Sequence, residues 1–266
     1  PIYESMINFT GAKAVPSPIL EKFGFALDVN ELPGLITDKT KLLIINSPAN
    51  PTGGVLNRKE IERIAELAVE HDLTVLSDEI YAEILYEGEH VSIATMPGMK
   101  ERTIILDGFS KTYAMTGWRL GYGAMPEEFA KVIGNLMVNS NSCTSMAVQI
   151  AGVEALNGPQ DDAKAMVAAF EKRRNLMVDG LNDIPGISCL LPKGAFYVFP
   201  NISATGLKSK EFADKLLQDY GVAALSGTAF GAYGEGYLRL SYANSEENLQ
   251  KALGRIKQMV TDLGIG

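Results

Sequence analysis

Residues 42–81 read LLIINSPANPTGGVLNRKEIERIAELAVEHDLTVLSDEIY, and this stretch decides the fold class. Leu42-Leu-Ile-Ile45 is a short continuous apolar run rich in β-branched residues, the pattern of a strand buried on both faces of a parallel sheet. A loop with two prolines and a glycine pair follows. Asn57 with Glu60 three residues later predicts a helix N-cap with a capping box, and Ile61, Ile64, Ala65 and Ala68 form one apolar stripe that ends near His71. Thr74-Val-Leu-Ser77 reads as a second strand, and Thr103-Ile-Ile-Leu106 as a third, spaced by about 30 residues as in a βαβ unit. The class is therefore α/β with a parallel sheet. Right-handed crossovers gather the carboxyl ends of such strands at one edge, where open α/β sheets bind ligands. The polar residues just past those ends lie at 46–50, 78–79 and 107–111, so three loops converge on one rim.

The second half changes character after Asn157-Gly158-Pro159, which reads as a helix stop. A long helix is predicted over about 160–181, with Ala165, Ala169, Leu176 and Leu181 inward, a bridge between two domains. Short strands follow at 187–189 and 195–199, a helix at 211–218, strands at 222–225 and 237–242, and a terminal helix. Ser245 caps that last helix, and Leu249, Leu253, Ile256 and Val260 share its apolar face. The division is a large α/β domain over 1–160, then an interdomain helix and a smaller α+β domain over 161–266.

Composition narrows the function classes. Lys and Arg number 24 against 32 Asp and Glu, a net charge of −8, which excludes a binder of nucleic-acid backbone that relies on clustered cations. The longest basic cluster, Lys172-Arg173-Arg174, falls inside a predicted helix and reads as a solvated face. With 46% apolar and 21% charged residues the chain is globular, and no apolar run approaches the roughly 18 residues that span a bilayer. Cys143 and Cys189 make no CxxC, and His71 and His90 make no HxxxH or HExxH, so no metal site is expected and both cysteines read as small buried apolar groups. The first ten residues lack a basic end followed by an apolar segment, so no signal peptide is expected and a reducing, cytoplasmic setting follows. The chain opens on Pro1-Ile-Tyr3 without an initiator Met, with a turn-like Phe9-Thr-Gly-Ala12 soon after, and reads as the interior of a longer protein.

Lys111 stands in Ser110-Lys-Thr-Tyr-Ala-Met-Thr-Gly-Trp-Arg119, just past the third strand. Taken alone, a loop lysine is a solvated surface group. Placed on a ligand rim, a desolvated amine can form a Schiff base with an aldehyde cofactor, and pyridoxal phosphate chemistry needs in addition an acid for the pyridinium nitrogen. Asp78, past the neighbouring strand, can supply it, although taken alone it is a cap or a surface acid.

Four ordered motifs then carry a family resemblance. They are Asn46-Ser-Pro-Ala-Asn-Pro-Thr-Gly53, Ser77-Asp-Glu-Ile-Tyr81, Gly108-Phe-Ser-Lys-Thr-Tyr-Ala-Met-Thr-Gly-Trp-Arg-Leu-Gly121 and Tyr237-Leu-Arg-Leu-Ser241. In order and spacing, across nearly the whole chain, they resemble the class I/II aminotransferases of pyridoxal-phosphate fold type I, close to the aspartate and aromatic branch. The resemblance implies a mostly parallel sheet flanked by helices, in a large domain that is incomplete here, plus a smaller C-terminal α+β domain. It implies pyridoxal 5'-phosphate as cofactor and Lys111 as its Schiff-base lysine and proton shuttle. Asp78 is implied at the ring nitrogen, Asn50 and Tyr81 at the phenolic oxygen, and Arg119 at the phosphate, with Ser110 adding a hydroxyl. Many members carry that phosphate serine three residues before the lysine, where this chain has Gly108. Arg239 is implied as the fork that holds a substrate carboxylate, with Asn50 beside it. Strand alternation sends Arg239 and Ser241 away from Leu238, Leu240 and Tyr242. Gly194-Ala-Phe-Tyr197 is similar to the segment that lines the substrate pocket, and equally reads as core; Gly227-Thr-Ala-Phe-Gly231 reads as a pocket-side turn, and Trp118 as core.

The resemblance further implies amino-acid and 2-oxo-acid substrates and a homodimer with shared active sites, with no nucleic-acid or membrane partner. Family members carry an N-terminal stretch with a phosphate-binding glycine loop and an aromatic that stacks on the cofactor, expected upstream of residue 1, so the chain reads as N-terminally truncated. A carbon–sulfur β-lyase of the same fold uses the same lysine, aspartate and arginine and remains open, as does a non-catalytic remnant. A nicotinamide enzyme is a poor fit, because no GxGxxG follows the first strand. Aspartate, aromatic and alanine donors all fit these motifs.

Overall fold

A computed structural model of the chain describes residues 2–265. An exposed helix α1 (Ile2–Phe9) and a short α2 (Leu32–Leu35) precede the first sheet. That sheet has four strands in chain order, β1 (Leu42–Asn46), β2 (Thr74–Asp78), β3 (Thr103–Gly108) and β4 (Gly121–Ala124). The first three are parallel and β4 is antiparallel to β3. Each of the three strands expected in this sheet is present and runs on into the polar residues past its apolar run. β4 has no sequence signature of its own: Gly121-Tyr-Gly-Ala124 lacks β-branched residues, and pairing with β3 makes it a strand.

Helix α3 (Arg58–Glu70) forms as its sequence dictates. The Asn57 Oδ1 accepts from the Glu60 N–H at 3.1 Å and the Glu60 carboxylate accepts from the Asn57 N–H at 2.6 Å, the reciprocal capping box. Such caps are worth about 1 kcal/mol. Ile61, Ile64, Ala65 and Ala68 are buried and join Val75, Ile93 and Met99 in one core. That core fixes β1 and β2 from behind and leaves their carboxyl ends at the rim.

Past β3 come α4 (Phe109–Thr112), α5 (Glu127–Ser140) and α6 (Met146–Asn157), and then the long α7 (Asp161–Asn182). The second sheet is antiparallel, in the order β5 (Tyr197–Val198), β7 (Leu238–Ser241), β6 (Leu225–Ser226). Helices α8 (Ser209–Tyr220) and α9 (Glu246–Asp262) pack with α7 over it. Ser245 caps α9 by accepting from the Asn248 N–H at 3.2 Å, and Leu249, Ile256 and Val260 are buried as read.

Several sequence expectations are corrected here. The buried face of α7 is Phe170, Arg174, Met177, Val178 and Leu181, while Ala165 is exposed, because the bulky side chains rather than the alanines set the phase. Lys172-Arg173-Arg174 is therefore not a solvated face. Arg174 is only 4% exposed: its guanidinium lies 4.7 Å from the Tyr86 ring centre and donates to the Pro192 carbonyl at 3.0 Å. No strand forms over 187–189, where a single bridge joins Ser188 to Asn201. The strand expected over 195–199 shrinks to Tyr197–Val198, since Ala195 has a left-handed φ of 58° and Pro200 has no N–H to offer a ladder. The strand expected over 222–225 is Leu225–Ser226. Cys189 is buried but Cys143 is exposed, and Trp118 is 52% exposed rather than core. Among the described residues no helix is long and apolar enough to cross a membrane, and no cluster of three or more His, Cys, Asp or Glu could hold a metal.

Candidate active site

Strand register assembles the rim. Asn46 pairs with Asp78, and Asp78 with Leu106, so the ends of β1, β2 and β3 lie side by side with neighbours about 4.8 Å apart. Asn46 lashes the first loop to the second: its Nδ2 donates to the Asp78 carbonyl at 3.0 Å and its Oδ1 accepts from the Asn50 N–H at 2.8 Å. This holds the Asn50 amide at the rim, where its Oδ1 accepts from Arg239 Nη1 at 3.1 Å.

Arg239 reaches that contact from β7, the middle strand of the second sheet. Alternation works as the sequence predicts, with Leu238, Leu240 and Tyr242 buried on one side and Arg239 and Ser241 on the other. The guanidinium lies 4.5 Å from the Tyr197 ring centre and 5.1 Å from that of Phe230. Its Nε is buried without a hydrogen-bond partner among the described residues. An orphaned buried donor costs about 1–3 kcal/mol. A carboxylate received by this guanidinium would remove that cost, and the aromatic walls hold the fork where it can be met.

Lys111 sits in α4, one turn past β3, and is half-buried. Its Nζ lies 5.8 Å from the Tyr81 ring centre and 5.5 Å from that of Phe196. Burial lowers its pKa, the positive charges of Arg239 and Arg119 lower it further, and Asp78 opposes them. The result is an amine that gives up its proton more readily than a solvated lysine, which is what a nucleophilic lysine requires. Tyr81 is buried with its hydroxyl 3.0 Å from that of Tyr197, and burial followed by this contact pushes its phenol well upward. It stays neutral and serves as a hydrogen-bonding group.

Asp78 is half-buried at the end of β2, its Oδ1 accepting from the Ile80 N–H at 3.3 Å. Its Oδ2 accepts from the Tyr3 hydroxyl. Tyr3 is pushed upward by burial first, then by that bond and by the Asp78 charge, so it remains a donor. Tyr3 thus brings a phenol from α1 to this carboxylate, a group apart from the ring-stacking aromatic that the family resemblance implies. Arg119 has a left-handed φ of 55° and donates from Nη1 to the Thr116 carbonyl at 2.7 Å. It is exposed and borders a cleft of about 480 Å³ with Trp118 and the loop 141–145. Ser110 precedes Lys111 in α4.

Gly108 accounts for the departure at the position three before the lysine. A Cβ there would meet the Gly121 Cα at 2.8 Å and the Leu120 carbonyl oxygen at 3.0 Å, so the β3–β4 contact excludes a side chain. Gly53 is likewise obligatory, with a φ of +68° and an imagined Cβ 2.4 Å from that of Pro192. The close approach lets the Gly53 carbonyl accept from the N–H groups of Lys193 and Gly194, at 3.0 and 3.1 Å. That lacing carries Phe196 and Tyr197 to the rim.

The structure thus brings Asn50, Asp78, Tyr81, Lys111 and Arg239 together, with Ser110 adjoining and Arg119 acting on Lys111 through its charge. Sequence reasoning gave no role to Asn46, Tyr197 or Phe230, although each lies inside a segment it had marked. Tyr3 carried no signal at all, since nothing local announces a contact with a residue 75 positions away.

Known proteins resemble the chain along nearly its whole length. Residues 1–256 match the family described as aminotransferase class I and II. An aspartate aminotransferase of Pyrococcus abyssi is 44% identical over 263 residues, covering 98% of this chain and 67% of the relative. Aromatic-amino-acid aminotransferase 2 of Thermococcus litoralis is 43% identical with the same two coverages. The crystal structure of an aromatic aminotransferase from Pyrococcus horikoshii superposes with a TM-score of 0.94 at 43% identity, over 98% of this chain and 70% of that one. The chain spans about two thirds of the length of these relatives, and it belongs to the aminotransferase class I and II family.

Proposed function

We propose that the chain moves an amino group from an L-amino acid to a 2-oxo acid with pyridoxal 5'-phosphate, in a ping-pong cycle centred on Lys111. The observation that carries this reading is the Lys111 amine, set between the Tyr81 and Phe196 rings with its pKa lowered by burial and by two arginines. The residues present fit the cofactor and its substrate: an amine whose pKa is lowered and a carboxylate at the end of β2 for the one, and a guanidinium with an orphaned Nε for the other. When bound, the cofactor supplies an aldehyde for the lysine and a ring that accepts electrons.

The remaining roles assigned here fall to this chain's own residues. Once it has given up its own proton, the Lys111 amine takes the proton from the substrate Cα and returns it on the other side of the transfer. Asp78 keeps the ring nitrogen protonated, Asn50 and Tyr81 hydrogen-bond the phenolic oxygen, and Arg119 with Ser110 holds the phosphate. Arg239 and Asn50, already joined at 3.1 Å, receive the substrate carboxylate. Residues 1–160 furnish the cofactor groups and residues 161–266 the carboxylate fork, so the site is proposed to lie between two domains. A second copy of the chain is proposed to complete each site.

The test is an absorption spectrum of the purified chain with pyridoxal 5'-phosphate, before and after borohydride, with mass analysis of the Lys111 peptide. The expected result is a reducible adduct on Lys111 that is lost in Lys111→Ala, and amino-group exchange with a 2-oxo acid. Absence of the adduct sinks the reading. Keto-acid release that needs no amino acceptor would assign the chain to the lyases instead.

A further inference from the structure

Glu79 follows Asp78 directly and belongs to none of the groups assigned above. Alternation along the chain turns its side chain away from Asp78 and onto the face it shares with Ser77. There it is 6% exposed. Its Oε1 accepts from Ser77 Oγ at 2.9 Å and from Ser92 Oγ at 2.7 Å, and its Oε2 meets His90 Nε2 at 2.8 Å. Burial alone would raise its pKa, but the bonds from His90, Ser92 and Ser77 outweigh it and hold the carboxyl below its ordinary value.

The partners are not local. His90 and Ser92 lie at the far end of the excursion 79–92, whose return brings Ile93 into the core behind β2. The carboxylate therefore ties the beginning of that excursion to its end. The beginning is the turn carrying the reactive groups: the Glu79 N–H donates to the Leu106 carbonyl at 2.9 Å, its carbonyl accepts from the Ala82 N–H at 2.8 Å, and Tyr81 stands between. A buried ionised carboxylate is retained at a cost unless every acceptor site is used. Here hydrogen bonds from both ends of the excursion make that arrangement hold.

We infer that Glu79 is a positioning residue: its buried carboxylate, bonded to Ser77, His90 and Ser92, fixes the turn from Asp78 to Tyr81 and so places both side chains against the cofactor ring. The inference rests on the cofactor reading for its consequence, but the positioning itself can be measured without cofactor.

Three variants of the full chain decide it. Glu79→Leu removes every bond, Ser92→Ala removes one, and Glu79→Gln keeps the volume and one acceptor oxygen as the conservative rescue. Hydrogen exchange of the peptide 79–84 is expected to accelerate about tenfold or more in Glu79→Leu while the peptide 42–46 keeps its protection, the mark of a local rather than a global loosening. The dissociation constant for pyridoxal 5'-phosphate is expected to rise about tenfold in Glu79→Leu, less in Ser92→Ala, and to recover partly in Glu79→Gln. If Glu79→Leu fails to fold, Ser92→Ala and Glu79→Gln carry the decision. Unchanged exchange over 79–84 overturns the inference, and so does acceleration spread equally over 42–46. If the unsubstituted chain takes up no cofactor, the functional reading fails and the exchange data alone decide the positioning.

Discussion

Lys111 shows how a residue acquires chemistry from its surroundings rather than from its type. A solvated lysine is charged throughout the neutral range. Here burial is the largest influence, Arg239 and Arg119 act in the same direction, and Asp78 acts against them. The sign of each change follows. Arg239→Leu removes a positive neighbour and moves the pH at which Lys111 becomes reactive upward, toward the ordinary lysine value, while Asp78→Asn removes the one stabilising negative charge and moves it downward. Competitive labelling with an amine-reactive reagent across pH, read by mass spectrometry at Lys111, measures both. Displacements of the same sign in the two variants would refute the electrostatic account. Sequence motifs identified Lys111, Asp78 and Arg239 as residues, but not their mutual influence, because a charge acts through space and its neighbours come from strands more than thirty positions apart. Tyr3 is the extreme case: its hydroxyl bond to Asp78 joins the first helix to the second strand, and no spacing rule reaches that far.

At the scale of elements, legibility tracked how local the determining interactions are. Helix α3 was readable to its cap because Asn57, Glu60 and the apolar stripe all lie within it. β1, β2 and β3 were readable from their apolar runs. β4 was not, because its only reason to be a strand is its partner, and the phase of α7 was misread because Ala165 and Ala169 look apolar while Phe170 and Met177 do the packing. Gly108 tests the β3–β4 pairing directly. Its φ of 172° is ordinary extended backbone, so replacing it by alanine would gain about 0.4–1 kcal/mol from a stiffer unfolded chain. Against that stands a Cβ at 2.8 Å from the Gly121 Cα and 3.0 Å from a carbonyl oxygen, backbone atoms that cannot swing aside. Overpacking of this kind costs about 1–3 kcal/mol, so the steric term wins. Gly108→Ala is expected to lower stability to denaturant by about 1–2 kcal/mol net. A stabilised variant would mean that β4 yields easily and that the glycine is not there for the close approach.

For the whole molecule, the deciding feature is apolar surface that the described residues leave uncovered. On α6 only Gly152 is buried, packed against Leu120 and Phe109, while Met146, Ile150 and Val153, spaced for one face, are 71%, 64% and 60% exposed. On α5 no residue is buried, and Val132 and Leu136 are 61% and 65% exposed. A helix that is apolar all round is normally covered on every side, and contiguous patches of this kind mark association surfaces. Fully burying one leucine or isoleucine side chain is worth about 1.5–3 kcal/mol, so two such residues set a dissociation constant by a factor on the order of a hundred or more. The chain is therefore expected to self-associate, with sedimentation velocity showing a weight-average mass that rises with concentration. The pair Leu136→Glu and Ile150→Glu, made together, is expected to weaken that association on the order of a hundredfold while leaving the far-ultraviolet dichroism unchanged, because neither side chain contributes to a core. A strictly monomeric parent would show that these faces are tolerated in water. Association that survives the double substitution would place the contact elsewhere, with α1 next, where Ile2 and Phe9 are 63% and 84% exposed beside the Tyr3 that touches Asp78. In that event association and the candidate site would share one helix, and cofactor affinity would be expected to change with protein concentration.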